Sequence, residues 1–379
     1  MPSSPVDPAL LTVAPERTRA DRKAFLTLPY RLYRGHPQWV PPLRMDEAFL
    51  GNRAKNPFFA HGTVEHFLAR RGGRVVGRIA AVENRRHNEI HGDRIGFFGR
   101  FDVEPDPEAA RALVAAARAW VAGRGLTAMR GPVSYSSNEL IGVLVDGFGR
   151  PPTVGMPYNR EDYDGLLRGA GLAKAKDLVA YWIPYGAHPE RLARIARRTF
   201  DRQGYVVRTL DLARWDAEID TLLDLYNRCW ERNWGFVPMT EAEFRHAAKA
   251  LKMIVDPRIF LFVEKPAGTP VGFVGNVPDV NQIIRDLDGR LFPFGLFKLL
   301  ARRKQIDVAR TMLLGVLPEV RGRGVDAALM MDVFERAGQA KYRGGEGSWI
   351  LEDNVRMRKD LEALGGSVSA TYRVYEMPA

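Results

Sequence analysis

The feature that most limits the fold is a recurrence. Residues 65–70 and 74–81 alternate around Gly72-Gly73, the pattern of a β-hairpin. Residues 95–103 predict a third strand, and 107–123 a helix with Pro107 near its start and Gly123 near its end. A short strand over 126–131, a helix over 159–169 and a strand over 176–184 follow. The same order then returns. Residues 205–210 predict a strand, and 216–233 and 240–254 two helices, the second with Thr240 as its N-cap. Residues 259–264 and 270–277 pair around Ala267-Gly268, and 311–317 is a further strand. Residues 324–340 predict a helix with Val325, Ala328, Leu329, Val333 and Ala337 on one face. A strand over 348–351, a helix over 354–364 and a strand over 368–375 complete the second set. The expectation is an α/β (α+β) architecture with mixed sheets, duplicated in pattern rather than in identity.

Residues 62–190 and 198–379 are the expected domains, joined by a basic helix around 187–197, with 1–61 as an N-terminal extension packed on the first. Residues 1–18, rich in proline and small residues, are expected to be loosely ordered. Residues 22–61 carry Phe25, Tyr30, Tyr33, Trp39, Phe58 and Phe59 and are expected to pack as an irregular segment.

A length of 379 residues suits two domains, and 46% hydrophobic residues is enough for ordinary cores. The 56 basic against 45 acidic side chains, a net charge of +11, favour anionic partners: nucleic acid, an anionic membrane surface or a phosphate-rich cosubstrate. Cys229 is the sole cysteine, which excludes an internal disulfide and argues against a cysteine-based zinc site. Its helical setting suggests a buried thiol rather than a nucleophile. The start of the chain has no signal-peptide pattern, and no apolar run reaches the ~18–20 residues that span a bilayer. A cytoplasmic protein is expected, with peripheral contact at the inner membrane left open. No metal is expected.

The informative stretch is Leu314-Gly315-Val316, then Pro318, then Arg321-Gly322-Arg323-Gly324-Val325. An apolar strand enters a glycine-rich turn that opens a helix. Backbone N–H groups and the positive end of the helix dipole converge there on one anion. Gly322 and Gly324 let a pyrophosphate approach without a Cβ in the way, and Arg321 and Arg323 add charged donors. A P-loop would need Lys-Ser/Thr after the last glycine, and the preceding hairpin argues against a dinucleotide fold. An exposed basic turn before a helix is the plain alternative.

That loop resembles the acyl-CoA loop of the GNAT superfamily of N-acetyltransferases. The stretch from Ser348 through Asn354 and Leu361 to Gly365-Gly366 is similar to a second motif of that superfamily: strand, asparagine, helix, glycine. The first repeat resembles the same fold with its loop eroded, since Asp102, Glu104 and Asp106 stand where the loop's arginines would be. Asp326 departs from the usual glycine or alanine. Leu361 stands where the superfamily often has the tyrosine that protonates the departing thiolate. The resemblance implies that Leu314, Gly315 and Val316 hold the pantetheine arm of acyl-CoA, that Arg321 to Val325 hold its pyrophosphate, and that Asn354 borders the site. Glu352, Asp353 and Asp279 are candidates for the base that accepts the amine's proton, and Tyr375 and Tyr372 for the missing acid. Each carboxylate can equally be a solvated strand-end charge, and Asn354 a plain helix N-cap.

Two further stretches narrow the acceptor. Residues 291–304 gather Leu291, Phe292, Phe294, Phe297 and Leu300 beside Lys298, Arg302, Arg303 and Lys304, the composition of a segment that can lie on an anionic bilayer or of a core helix with a basic face. The run from Leu28 to Leu43, the Asn56-Pro57-Phe58-Phe59 motif and Arg232-Asn233-Trp234-Gly235-Phe236 look like a group of long two-domain GNAT proteins similar to the bacterial ceramide synthases. That likeness implies a long acyl chain passed from acyl-CoA, or from acyl carrier protein, to a lipid amine such as a sphingoid base. Short-chain acetyl transfer to a small molecule or protein, an aminoacyl-tRNA-dependent transferase and a non-catalytic acyl-CoA binder remain alternatives. An intact CoA loop argues against a nucleic-acid partner.

Overall fold

The computed structural model describes residues 10–185 and 190–379; residues 1–9 and 186–189, parts of the expected loose terminus and linker, lie outside them. In chain order the strands and α-helices are β1 (Leu11–Pro15), α1 (Arg19–Leu32), α2 (Arg44–Leu50), β2 (Gly62–Arg71), β3 (Arg74–Asn84), α3 (Arg85–His91), β4 (Ile95–Val103), α4 (Pro107–Ala122), β5 (Ala128–Gly131), β6 (Val143–Asp146), α5 (Tyr163–Gly169) and β7 (Ala173–Pro184). There follow α6 (Glu190–Gln203), β8 (Val206–Thr209), α7 (Trp215–Trp230), α8 (Glu241–Ile254), β9 (Phe260–Glu264), β10 (Pro270–Pro278), α9 (Asn281–Ile284), α10 (Gly295–Arg302), β11 (Val308–Val316), α11 (Val325–Gln339), β12 (Gly344–Leu351), α12 (Val355–Ala363) and β13 (Ser367–Pro378).

These elements form two compact units. The first comprises Met1–Asp177 together with Ile284–Leu291 and Thr371–Ala379; the second comprises Leu178–Ile283 and Phe292–Ala370. The first unit's strands run in the order β1-β2-β3-β4-β5-β13. Among its described residues only β4 and β5 are parallel, and β13 pairs with β5 through Tyr375↔Gly131 and Met377↔Met129. Helix α4 packs on this sheet through Ala109, Ala110, Leu113 and Ala117, all fully buried. Gly77 allows that close approach, because a Cβ there would lie 2.7 Å from Leu113.

Two expectations fail in this unit. Residues 11–15 are not loose: β1 pairs with β2 from Leu11↔Arg71 to Pro15↔Phe67, and Leu11 and Val13 pack on the core. Residues 22–61 are not irregular throughout: α1 opens with a capping box between Thr18 and Asp21 and buries Phe25, Leu28 and Tyr30. Pro29 lies inside α1, and it masked the helical spacing.

The second unit's strands run β7-β12-β11-β10-β9-β8, with β11 and β12 parallel and the other neighbouring pairs antiparallel. Helix α8 carries the expected Thr240 cap, closed into a box by Glu243. Helix α7 lies against β10 and β11, with Trp230 packed on Phe273. Helix α6, expected as a linker, packs along α11, where Arg197 pairs with Glu335 at 3.3 Å.

Candidate active site in the second unit

Parallel pairing between β11 and β12 runs only from Val308↔Gly344 to Thr311↔Gly347. Beyond Thr311 the two strands part. Strand β11 continues to Val316 with β10 on its other side, and its register slips once, between Leu313 and Thr311. The slip leaves Met312 as the extra residue, 40% exposed. From Met312 to Val316, among the described residues, β11 has a strand partner on one side only. That open edge offers N–H and C=O groups to an extended ligand.

Gly315, midway along this edge, fits because α7 crowds it: a Cβ there would lie 2.8 Å from the Cβ of Cys229 and 3.0 Å from Trp230. Cys229 is 6% exposed, and burial pushes its thiol up to about 12, so it is inert packing rather than a nucleophile.

At the end of β11 the chain turns through Arg321-Gly322-Arg323-Gly324 into α11. Gly322 and Gly324 have φ of +76° and +78°, the left-handed region that favours glycine. Gly324 is the N-cap, and no side chain caps the helix from that position. The first amides of α11 therefore keep donors for an anion, apart from that of Ala327, which donates to the Asp326 carboxylate at 3.0 Å. Asp326 also binds Arg356 at 3.1 Å, so its charge is met by a neighbour on α12.

The two loop arginines differ. Arg321, although exposed like Arg323, turns its guanidinium back onto the chain: its Nε donates to the Val316 carbonyl at 3.2 Å and its Nη2 to the Cys229 carbonyl at 2.5 Å. It fastens the end of α7 to the end of β11 and supplies two bonds to carbonyls left over at element ends. Arg323 is exposed, and its carbonyl accepts from Gln203 at 3.3 Å.

The first unit shows what closing such a site looks like. There β4 and β5 pair only from Ile95↔Ala128 to Phe97↔Arg130, but the chain after β5 fills the gap. Val133 donates to the Phe98 carbonyl at 2.7 Å, and a Cβ on Gly99 would lie 2.1 Å from the Val133 carbonyl oxygen. The Asp106 carboxylate caps α4, taking the amides of Glu108 and Ala109, and is itself held by Arg71. No open edge and no uncapped N-terminus remain at that position.

The proposed catalytic groups scatter. Asp279 is 6% exposed and accepts the Asn281 amide at 3.2 Å, shaping the turn after β10. Glu352 and Asp353 follow the end of β12; the Glu352 carbonyl accepts from Arg358 at 3.0 Å, and Asp353 is exposed. Asn354 caps α12 by accepting the Met357 amide at 3.3 Å. Tyr375 belongs to the first unit, is fully buried, and donates its hydroxyl to Asp164 at 2.5 Å. Burial holds its pKa above the ordinary phenol value. Tyr372 is likewise buried in the first unit.

Sequence reasoning missed a polar cluster at the base of the fork. Arg310 on β11 donates through Nε to the Ser348 hydroxyl at 3.1 Å, and Ser348 donates to Glu346 Oε1 at 3.1 Å. All three are buried, at 2%, 7% and 8% exposure. The signal was present in Gly344-Gly345-Glu346-Gly347: glycines flanking an acid within a strand mark a tightly enclosed charge. A Cβ on Gly345 would lie 2.1 Å from the Tyr185 hydroxyl. Among the described residues no His/Cys/Asp/Glu group is placed to hold a metal ion.

No protein-family model matches the chain. The bacterial ceramide synthase of Caulobacter vibrioides is 41% identical over 374 residues, 97% of each chain. The chain belongs to the family of that synthase. Protein YghO of Escherichia coli K12 is 34% identical to this family member over 94% of the chain and 92% of its own length. Among solved structures, a tandem GNAT protein from the clavulanic acid biosynthesis pathway covers 97% of the chain at 16% identity, with a TM-score of 0.56. The glucosamine N-acetyltransferase region of a fungal multidomain β-N-acetylglucosaminidase superposes with a TM-score of 0.57 at 14% identity, over 98% of the chain and 38% of its own. The tandem GNAT fold expected from the recurring element order and the second unit's two motifs is thus borne out, and this ceramide synthase family member is an N-acyltransferase.

Proposed function

We propose that the chain transfers a long acyl group from acyl-CoA to the amine of a lipid-like acceptor such as a sphingoid base. The observation that carries this reading is the match, along 97% of both chains, to the bacterial ceramide synthase. Acyl-CoA as donor is supported by the second unit's open strand edge beside an uncapped helix N-terminus with two left-handed glycines. In this reading the amides of the loop and of α11, with Arg323, take the pyrophosphate, and the edge from Met312 to Val316 takes the pantetheine arm. Val325 seats the first turn of the helix in the core, and Arg321 shapes the loop without touching phosphate.

Acyl-CoA, when bound, supplies an activated thioester. A backbone N–H on the open edge of β11 polarises its carbonyl. The acceptor amine attacks as the neutral base, its nitrogen bonds to the acyl carbon, and the carbon–sulfur bond breaks. The amine's proton passes through Ser348 to Glu346, the buried carboxylate at the fork, and the thiolate takes a proton from solvent. Glu346 replaces Glu352, Asp353 and Asp279 as the preferred base because it alone is held at the point where the strands part. Tyr375 has no place in the reaction.

Thiol release should be measured with acetyl- and palmitoyl-CoA, with and without a sphingoid amine. Amine-dependent release with palmitoyl-CoA is expected, and no release with either donor would refute the reading. Glu346→Gln should lower kcat by about 10²-fold or more while leaving donor KM unchanged. An unchanged kcat would return the base to the strand-end carboxylates.

A further inference from the structure

Residues 292–304 stand out on the second unit's surface. Phe292, Phe294, Phe297 and Leu300 are 62%, 79%, 70% and 56% exposed. The other exposed large hydrophobics are scattered along the chain, from Leu10 to Val368. A single exposed apolar residue is ordinary, but three phenylalanines and a leucine within nine residues are not. The exposure does not come from a loose segment. Leu291 and Gly295 are buried before and within it, Ile306 is 1% exposed after it, and Leu296 and Leu299 turn their half-buried faces inward. Spacing explains the division: positions 294, 297 and 300 share one face of α10, while 296 and 299 share another.

The cations lie on the same short stretch. Lys298, Arg303 and Lys304 are exposed and Arg302 half-buried, and 292–304 contain no acid. Arg302 is steadied by Gln305 at 3.0 Å and Arg303 by the Val255 carbonyl at 2.8 Å. A fixed apolar face bordered by positive charge complements a surface that is apolar just below and negative at the top. A second copy of the chain is a poor occupant, since a two-fold contact through this face would set the same cations against each other. No helix among the described residues is long and apolar enough to cross a membrane.

We propose that residues 292–304 are an interfacial anchor that lays Phe292, Phe294, Phe297 and Leu300 into the headgroup layer of an anionic phospholipid bilayer. Lys298, Arg302, Arg303 and Lys304 meet the phosphates. The proposal rests on this surface and not on the identity of the acceptor, so it can fail while the acyl-transfer reading stands.

The test is co-sedimentation of the full chain with phosphatidylcholine vesicles, with and without phosphatidylglycerol. Binding is expected with the anionic vesicles and should weaken as salt rises. The variant carrying Phe292→Ser, Phe294→Ser and Phe297→Ser should keep the wild-type melting temperature, because the side chains are exposed. It should lose partitioning by roughly tenfold or more. The variant carrying Lys298→Gln and Lys304→Gln keeps the apolar face and should bind anionic vesicles roughly fivefold more weakly for each charge removed, with a shallower salt dependence. Wild-type protein left in the supernatant with anionic vesicles would overturn the proposal, as would a phenylalanine variant that sediments like wild type. A concentration-dependent dimer abolished by the phenylalanine substitutions would overturn it too, by showing that the face is covered by a second copy.

Discussion

Arg321→Ala separates two jobs that an arginine in the glycine turn before α11 can have. If Arg321 gripped phosphate, its loss would weaken donor binding and leave the fold untouched. Its guanidinium instead donates to the carbonyls of Val316 and Cys229, at the ends of β11 and α7. A hydrogen bond from a charged donor contributes about 1.5–3 kcal/mol when buried, and less where solvent reaches it. Two such bonds at a partly exposed site give about 2 kcal/mol for the pair, which for a unit of this size corresponds to a fall in Tm of roughly 4–8 °C. Thermal unfolding by near-UV circular dichroism, with donor KM measured on the same preparations, reads both quantities. Arg321→Ala should melt several degrees lower and Arg321→Lys should recover little, because one ammonium cannot reproduce the two-pronged contact. Arg323→Ala should melt like wild type and raise donor KM. An Arg321→Ala protein that melts like wild type and shows the same KM defect as Arg323→Ala would refute the reasoning.

Four other outcomes are expected. Glu47 is 8% exposed and bonded to the buried Arg100, so Glu47→Ala strands a charge in the first unit and should cost about 3–5 kcal/mol by denaturant titration. Gly315→Ala sets a methyl group 2.8 Å from Cys229 and should cost about 1–3 kcal/mol, with a loss of donor affinity as the strand edge shifts. Tyr375→Phe removes a hydroxyl committed to Asp164 and should cost about 1 kcal/mol while leaving kcat unchanged; a collapsed kcat would restore Tyr375 to the reaction. Burial lowers the pKa of His87 to about 4 from 6.5, so between those values the unfolded chain binds more protons than the folded one. Stability should therefore fall as pH drops from about 6.5 to 4, by up to about 3 kcal/mol, and His87→Gln should flatten that slope.

The elements that were legible are those whose partners impose a local period. Helix α11 read directly, because Val325, Ala328, Leu329, Val333 and Ala337 recur at helical spacing, all are buried, and Gly324 stands at its start. Helix α1 did not, because Pro29 interrupts its pattern while tertiary packing of Phe25 and Leu28 holds it together. The left-handed glycines and the uncapped start of α11 were legible because both are properties of the turn itself. What Arg321 does was not, since its second partner lies 92 residues away. The cluster of Arg310, Ser348 and Glu346 was hidden for the same reason: it forms only when β11 and β12 lie side by side.

The placement of β13 has a consequence for how the molecule comes to exist. Thr371–Ala379 belong to the first unit, and Tyr375 and Met377 close the free side of β5. That strand is synthesised only after the whole of the second unit. During translation the first unit therefore waits, with the rim of β5 uncovered, for a piece of chain separated from Gly131 by more than half of the molecule. Such a rim is a template for wrong pairing with neighbouring nascent chains. Removing residues 371–379 should accordingly damage the unit that was made first, not the unit they directly follow, and a chaperone that shields β5 would do most for yield.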